Sequence, residues 1–223
     1  MKDKLSGIST VFLTLCVIIL TGMTARREFF SPTRKTSEQP TTVSNWRDYT
    51  DAGQWTGPRN AAVTIVEFAD FQCPACRVAA TRMQALRSKY PDRVAVLYRH
   101  APIPSHEFAA PAAHASLCAA EQGRFEAYHD ALFAHQKQIG RISWAEFADS
   151  AGVPDATAFA SCIDREGPNP ALERDQQAAE RLGVRATPTL LINDQLIVGA
   201  PTSEELTAIV EKALRTPGNR SGL

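Results

Sequence analysis

Neither sign of charge prevails in this sequence. Its 24 Lys and Arg residues balance 24 Asp and Glu across 223 residues. The basic residues are scattered rather than gathered into a stripe, which argues against a nucleic-acid partner. A second Cys-x-x-Cys is lacking, as is a closely spaced His pair, so a tetrahedral zinc site has no ligand set to draw on. His100, His106, His114, His129 and His135 follow no regular ligand spacing and read as surface or core-edge residues, so no metal is expected. There is no internal repeat, and two unrelated full-sized domains do not fit the length.

What is present points to an exported protein. Lys2 and Lys4 precede an apolar run from Ile8 to Met23, the signature of an export signal. The run is longer than a short signal-peptide core and shorter than the roughly 20 residues of a full membrane span. Both cleavage near Gly22, Thr24 and Ala25 and retention as an anchor are therefore compatible with it. Retention is the narrow preference, although Arg26, Arg27, Arg34 and Lys35 behind the segment run against the usual charge bias. Cys16 lies in this leader, leaving Cys73, Cys76, Cys118 and Cys162 as an even set suited to an oxidising compartment. The expected organisation is a leader over 1–25, a flexible Ser/Pro/Thr/Lys tether over 26–45, one α/β domain over 46–216 and a short tail over 217–223.

Within the domain, Val63–Ala69 is a β-rich apolar run ending just before the cysteines, as expected of a buried strand. Ala79, Met83, Leu86 and Tyr90 share one face of a helix that Pro91 stops, and Val94–Tyr98 reads as a second strand. This strand-helix-strand unit predicts a parallel pair with a right-handed crossover. From about 106 to 167 the pattern is helical. Ser143 and Glu146 form a capping box, Asp155 can cap the next helix, and Asn169-Pro170 opens another that Gly183 ends. The runs on either side of Asn193-Asp194 predict an antiparallel hairpin, and Thr202 with Glu205 caps a last amphipathic helix.

Cys73 and Cys76 stand at the start of the first helix, three residues apart, where their sulfurs can come within bonding range. Exposed amides and the helix dipole favour the Cys73 thiolate, with a pKa expected in the range of roughly 3.5 to 7.5. Pro74, which has no N–H to lose, suits that position, and Ala75 completes the loop. A permanent disulfide or half of a zinc site are the competing readings. Redox chemistry is preferred because the motif lies between a strand and a helix.

Val66-Glu-Phe-Ala-Asp-Phe-Gln-Cys-Pro-Ala-Cys76, Cys118-Ala-Ala-Glu-Gln-Gly-Arg-Phe125 with His129-Asp130, and Gly183-Val-Arg-Ala-Thr-Pro-Thr-Leu190 together resemble the DsbA-like branch of the thioredoxin superfamily. The resemblance covers roughly residues 45 to 215. It implies a thioredoxin-like fold with a helical insertion, in which Cys73 is the surface-exposed sulfur that exchanges with a partner cysteine and Cys76 resolves the mixed disulfide. Thr187-Pro188 matches the family's cis-proline loop, which offers backbone groups to an extended substrate; Ala186 stands where many relatives have Gly. Glu67 matches the acidic residue beneath the active site, and its apolar flanks Val66 and Phe68 fit a buried, proton-exchanging carboxyl better than a solvated edge glutamate. Asp70 reads as a local charge or turn residue. Phe71 fits either the rim of a client groove or the core. Cys118 and Cys162 remain open between a structural disulfide, as in some relatives, and two small buried thiols.

The expected function is exchange of disulfides, chiefly their donation, with cysteine-bearing exported polypeptides, and recycling by a membrane redox partner. The cell envelope or periplasm is the expected site, and no cofactor beyond the redox-active disulfide is expected. A reductase or isomerase, or a non-catalytic peptide- or metal-binding module, are the alternatives.

Overall fold

The computed structural model describes residues 41–215. The expected leader, residues 26–40 of the expected tether and the tail over 217–223 lie outside the described residues. A six-stranded mixed sheet carries the domain, in the order β1 (Thr41–Thr42), β6 (Gln195–Val198), β5 (Thr189–Ile192), β3 (Val63–Ala69), β4 (Val94–His100) and β2 (Gln54–Thr56). The central strands are β3 (Val63–Ala69) and β4 (Val94–His100), every residue of which is buried. They pair in parallel, Glu67 lying opposite Tyr98, and helix α1 (Pro74–Lys89) connects them. A parallel pair covered on both faces needs apolar residues on both, and both strands meet that demand apart from a few polar positions that matter below.

Two layers cover the sheet. Ala79, Met83 and Leu86 of α1 pack on Ile65, Val96 and Leu190 with Leu206 and Val210 of the final helix α7 (Ser203–Arg215). The opposite face holds Val66, Phe68, Leu97 and Leu191 against Ala178 and Ala179 of α6 (Pro170–Leu182) and against Trp46 and Tyr49 of a 3-10 turn. Between β4 and α6 comes the helical insertion: α2 (Ala109–Ala120), α3 (Phe125–Ala134), α4 (Trp144–Ser150) and α5 (Ala156–Ile163). Its core of Tyr128, Leu132, Phe147 and Phe159 runs without a break into Phe71, Cys76 and Tyr98. The insertion thus forms a wall of the site rather than an appendage.

Local signals fall where the chain needs them. Ser143 and Glu146 cap α4 reciprocally, Asp155 caps α5, Asn169 caps α6, and Gly183 ends α6 with a left-handed φ of 75°. Strands β5 (Thr189–Ile192) and β6 (Gln195–Val198) form the expected hairpin, with Asn193 at φ 48°.

Two edges differ from expectation. The sequence reading ran the tether to Asn45, yet Thr41–Thr42 already form β1, paired with Leu196 and Gln195, and the Val43 amide donates to the Asp194 carbonyl at 2.7 Å. Backbone pairing of two polar residues leaves no periodic trace. Strand β2 (Gln54–Thr56), antiparallel to β4, was likewise unforeseen. Its approach depends on Gly53 at φ +113°, where an added Cβ would meet the Tyr98 carbonyl oxygen at 2.8 Å.

Candidate active site

Strand β3 ends at Ala69, and the chain turns through Asp70, Phe71 and Gln72 into α1. Cys73 is the extended N-cap of that helix, and Pro74 occupies its first turn. The Cys73 carbonyl accepts from the amides of Cys76 at 3.1 Å and Arg77 at 3.3 Å, which closes the turn and brings both cysteines to one side. The two carry free thiols near disulfide distance. Cys76 is fully buried. Cys73 keeps only 7% of its surface, less than the exposed sulfur implied by the resemblance. The reason is the neighbouring loop: Thr187-Pro188 is cis, and the Thr187 carbonyl oxygen lies 3.3 Å from Cys73 Sγ.

The two sulfurs are electrostatically unlike. The Cys73 pKa is lowered to about 5, first by the hydrogen bond from the Cys76 thiol, which outweighs burial; Thr187 and the Cys76 and Ala75 amides add to it. The helix start therefore contributes, but the partner cysteine contributes more than the amides on which the sequence reading relied. The Cys76 thiol is pushed strongly up, by burial first, then by its bond to Cys73 and the charge of Glu67. Glu67 itself is raised to about 8, by burial and then by Cys73. Neither of its carboxylate oxygens has a hydrogen-bond partner, and neither does the Tyr98 hydroxyl next to it on β4.

Several polar residues hold this loop, in a role that sequence reasoning missed. Asp70 is the turn residue expected, and it is also a buried hub. Its carboxylate accepts from the amides of Gln72 at 2.7 Å and Ile103 at 2.8 Å and pairs with His106 Nδ1 at 2.8 Å, while its own amide points at Cys76 Sγ at 3.5 Å. Gln136, from the short turn after α3, donates to the carbonyls of Phe71 at 2.8 Å and Cys73 at 2.9 Å. These contacts link distant segments, so no local pattern announces them. Phe71 is 1% exposed and stacks on Tyr98 at 5.2 Å, in contact also with His129 and Phe133. It belongs to the core and not to a client-facing rim, because the insertion closes over it.

Cys118 of α2 and Cys162 of α5 are joined as a disulfide. His114 Nε2 lies 3.0 Å from the Cys162 carbonyl and 3.8 Å from Cys118 Sγ. The three side chains are close enough to suggest a metal site, but the sulfurs are bonded to each other, and metal ligation needs thiolates.

Over residues 49–212 the sequence matches the thioredoxin family. The chain belongs to that family. Among solved structures, a periplasmic thioredoxin-like protein from Salmonella enterica serovar Typhimurium is 26% identical, covering 78% of this chain and 98% of that one with a TM-score of 0.63. A thioredoxin-like oxidoreductase from Silicibacter pomeroyi is 29% identical, covering 75% and 96%, with a TM-score of 0.61. The thiol-disulfide exchange protein alpha-DsbA2 of Wolbachia pipientis, at 23% identity and a TM-score of 0.64 over 76% and 92% of the two chains, attests the fold alone. Curated relatives carry another name: Na(+)/H(+) antiporter NhaA 3 of Salinispora tropica is 36% identical over 74% of this chain. The chain spans about a quarter of the length of such relatives, 26% in that case, and their name describes the longer proteins. No helix among the described residues is long and apolar enough to cross a membrane.

Proposed function

We propose that this protein is a thiol-disulfide oxidoreductase that acts outside the cytoplasm and donates its Cys73–Cys76 disulfide to cysteine-bearing exported polypeptides. The observation that carries the reading is the contrast between the two sulfurs: Cys73 is a comfortable thiolate and Cys76 a reluctant one. A client thiolate attacks Cys73 Sγ, the bond to Cys76 breaks, and Cys76 leaves with the electron pair and takes a proton from the Glu67 carboxyl. A second client thiolate then attacks the client sulfur of the mixed disulfide. The client leaves oxidised and Cys73 leaves as its stabilised thiolate. Because stabilising the reduced form makes a dithiol a stronger oxidant, a low Cys73 pKa favours donation over reduction. A membrane redox partner would remove the two electrons and restore the disulfide.

The backbone at Thr187-Pro188 serves as the docking edge for an extended client. Beside it runs a groove of about 370 Å³ lined by Pro102, Ile103, Pro104, Ala179 and Val184 together with Gln176, Glu180 and Arg185, a mixed lining open to client side chains. The periplasmic description of the Salmonella protein supports the compartment, and the Cys118–Cys162 bond suits an oxidising one.

Two measurements test the proposal. Cys73→Ala should abolish exchange with a reduced, unfolded client, whereas Cys76→Ala should accumulate mixed disulfides with it; absence of such adducts would overturn the assignment of roles. The reduction potential of the pair should lie above about −200 mV, well above the roughly −270 mV of a reducing thioredoxin. A value near the latter would make the protein a reductase using the same atoms.

A further inference from the structure

Beside Glu67 lies a small cavity of about 30 Å³ between the sheet, α1 and α3. At roughly 10–15 Å³ of probe-occupied volume per water, it has room for about two waters. Glu67 and Tyr98 line it from the sheet, and their unpartnered, buried oxygens are the kind of group that such waters satisfy. His129 and Asp130 line it from α3. Half-exposed Glu126 of α3, bridged at 2.7 Å to Arg87 of α1, also borders it, so the cavity reaches from the sealed carboxyl towards solvent. We propose that this cavity is the route by which Glu67 exchanges its proton with solvent, and that His129, oriented by Asp130, is the group that relays it.

The chemistry of the lining supports that choice. Asp130 Oδ1 lies 2.9 Å from His129 Nδ1. A carboxylate can only accept, so Nδ1–H donates and Nε2 of the neutral ring is left as the base. Imidazole is the side chain best suited to passing protons at neutral pH. The competing histidine, His100, is sealed from solvent, finds no partner for either nitrogen and is held neutral, its pKa lowered to about 3 by burial and then by His129. Tyr98 stays protonated, since burial and then Glu67 push its pKa up, so its hydroxyl serves to orient waters rather than to carry charge. The charged groups around His129 are thus Glu67 from β3, Asp130 and Glu126 from α3, and Arg87 from α1. The need for such a route follows from the raised Glu67, which holds its proton at neutral pH and must shed it before it can serve as base to Cys76.

This inference rests on the proposed role of Glu67, and Ellman's reagent separates the two in the full chain. The Cys73 thiolate attacks the reagent and releases one nitrothiobenzoate. Cys76, its proton passed to the Glu67 carboxylate, then attacks Cys73 Sγ, releases a second nitrothiobenzoate and leaves the Cys73–Cys76 disulfide. The second phase of colour release reads Cys76. In dilute buffer, His129→Gln should slow this phase by roughly 10²-fold, the low end of general acid–base contributions, leave the first phase alone, and recover speed as imidazole is added. Glu67→Gln should be slow whether or not imidazole is present. If Glu67→Gln is slow but His129→Gln keeps the wild-type second phase, or is slow and not rescued, the relay is wrong and the Glu67 role stands. If Glu67→Gln resolves at the wild-type rate, both fall.

Discussion

At the scale of the residue, the site depends on opposed titrations. In the reduced protein the folded Cys73 gives up its proton at about 5 against an ordinary value of 9.0, so its contribution to stability is present at high pH and is lost as pH falls towards 5. Glu67 runs the other way: its folded pKa of about 8 exceeds the ordinary 4.5, so it contributes stability at low pH and loses it as pH rises through that window. The two slopes oppose each other between about 5 and 8. Glu67→Gln removes one of them. Urea denaturation of the reduced variant should therefore show it gaining on wild type with rising pH, by up to about 1.4 kcal/mol per pH unit; parallel curves would place the Glu67 pKa near its ordinary value. Ultraviolet absorbance of the thiolate should titrate near 5 in wild type and move up in Cys76→Ala, because Cys76 supplies the largest stabilising bond.

At this scale the cysteine pair was legible because its chemistry is local, two residues and a helix start. Glu67 was legible only through its apolar flanks and its likeness to a family pattern. The longer-range bonds of Asp70 and Gln136 were not legible: their partners lie up to 65 residues away along the chain.

Elements carry their own signals. Capping residues, hairpin turn and helical faces were readable because each is set by contacts within a few residues. Ser143→Ala removes the hydroxyl that accepts from the Glu146 amide, while the Ser143 amide keeps its bond to the Glu146 carboxylate, and should cost about 1 kcal/mol in denaturant unfolding without altering exchange. The insertion also has a covalent tie between α2 and α5, spanning a sequence separation of 44. Replacing Cys118 and Cys162 together by Ala should cost roughly 2–4 kcal/mol while the Cys73 titration stays in place. A shifted titration would mean that the tie also shapes the reactive pair through the shared core. The short strands β1 and β2 escaped the sequence reading because an edge strand of two or three residues is made by its partner, not by its own composition.

For the whole molecule, Arg99 is the least expected residue. It lies on central strand β4, 1% exposed, and donates to the Tyr49 carbonyl at 2.9 Å, to Asp175 of α6 at 3.2 Å and to Asp51. The sheet, α6 and the segment before β2 thus meet at one guanidinium. Removing one partner of a buried pair leaves an uncompensated charge, so Arg99→Leu should cost about 3–5 kcal/mol by denaturant unfolding. Asp175→Asn, which keeps a hydrogen-bond acceptor, should cost less; the reverse order would mean that a buried guanidinium left without its carboxylate costs more than losing the guanidinium itself.

The arrangement of strands has a consequence for how such a protein survives its own trade. Among the described residues, both margins of the sheet are closed by fragments, two residues of β1 and three of β2. A catalyst that meets chains not yet folded is surrounded by extended segments seeking a neighbour, and a long bare margin would recruit them indiscriminately. Clipped margins offer little to grip, while under the proposed function an extended visitor docks at Thr187-Pro188, beside the Cys73 sulfur. Capture and chemistry then share an address, and a visitor without a cysteine has little reason to stay.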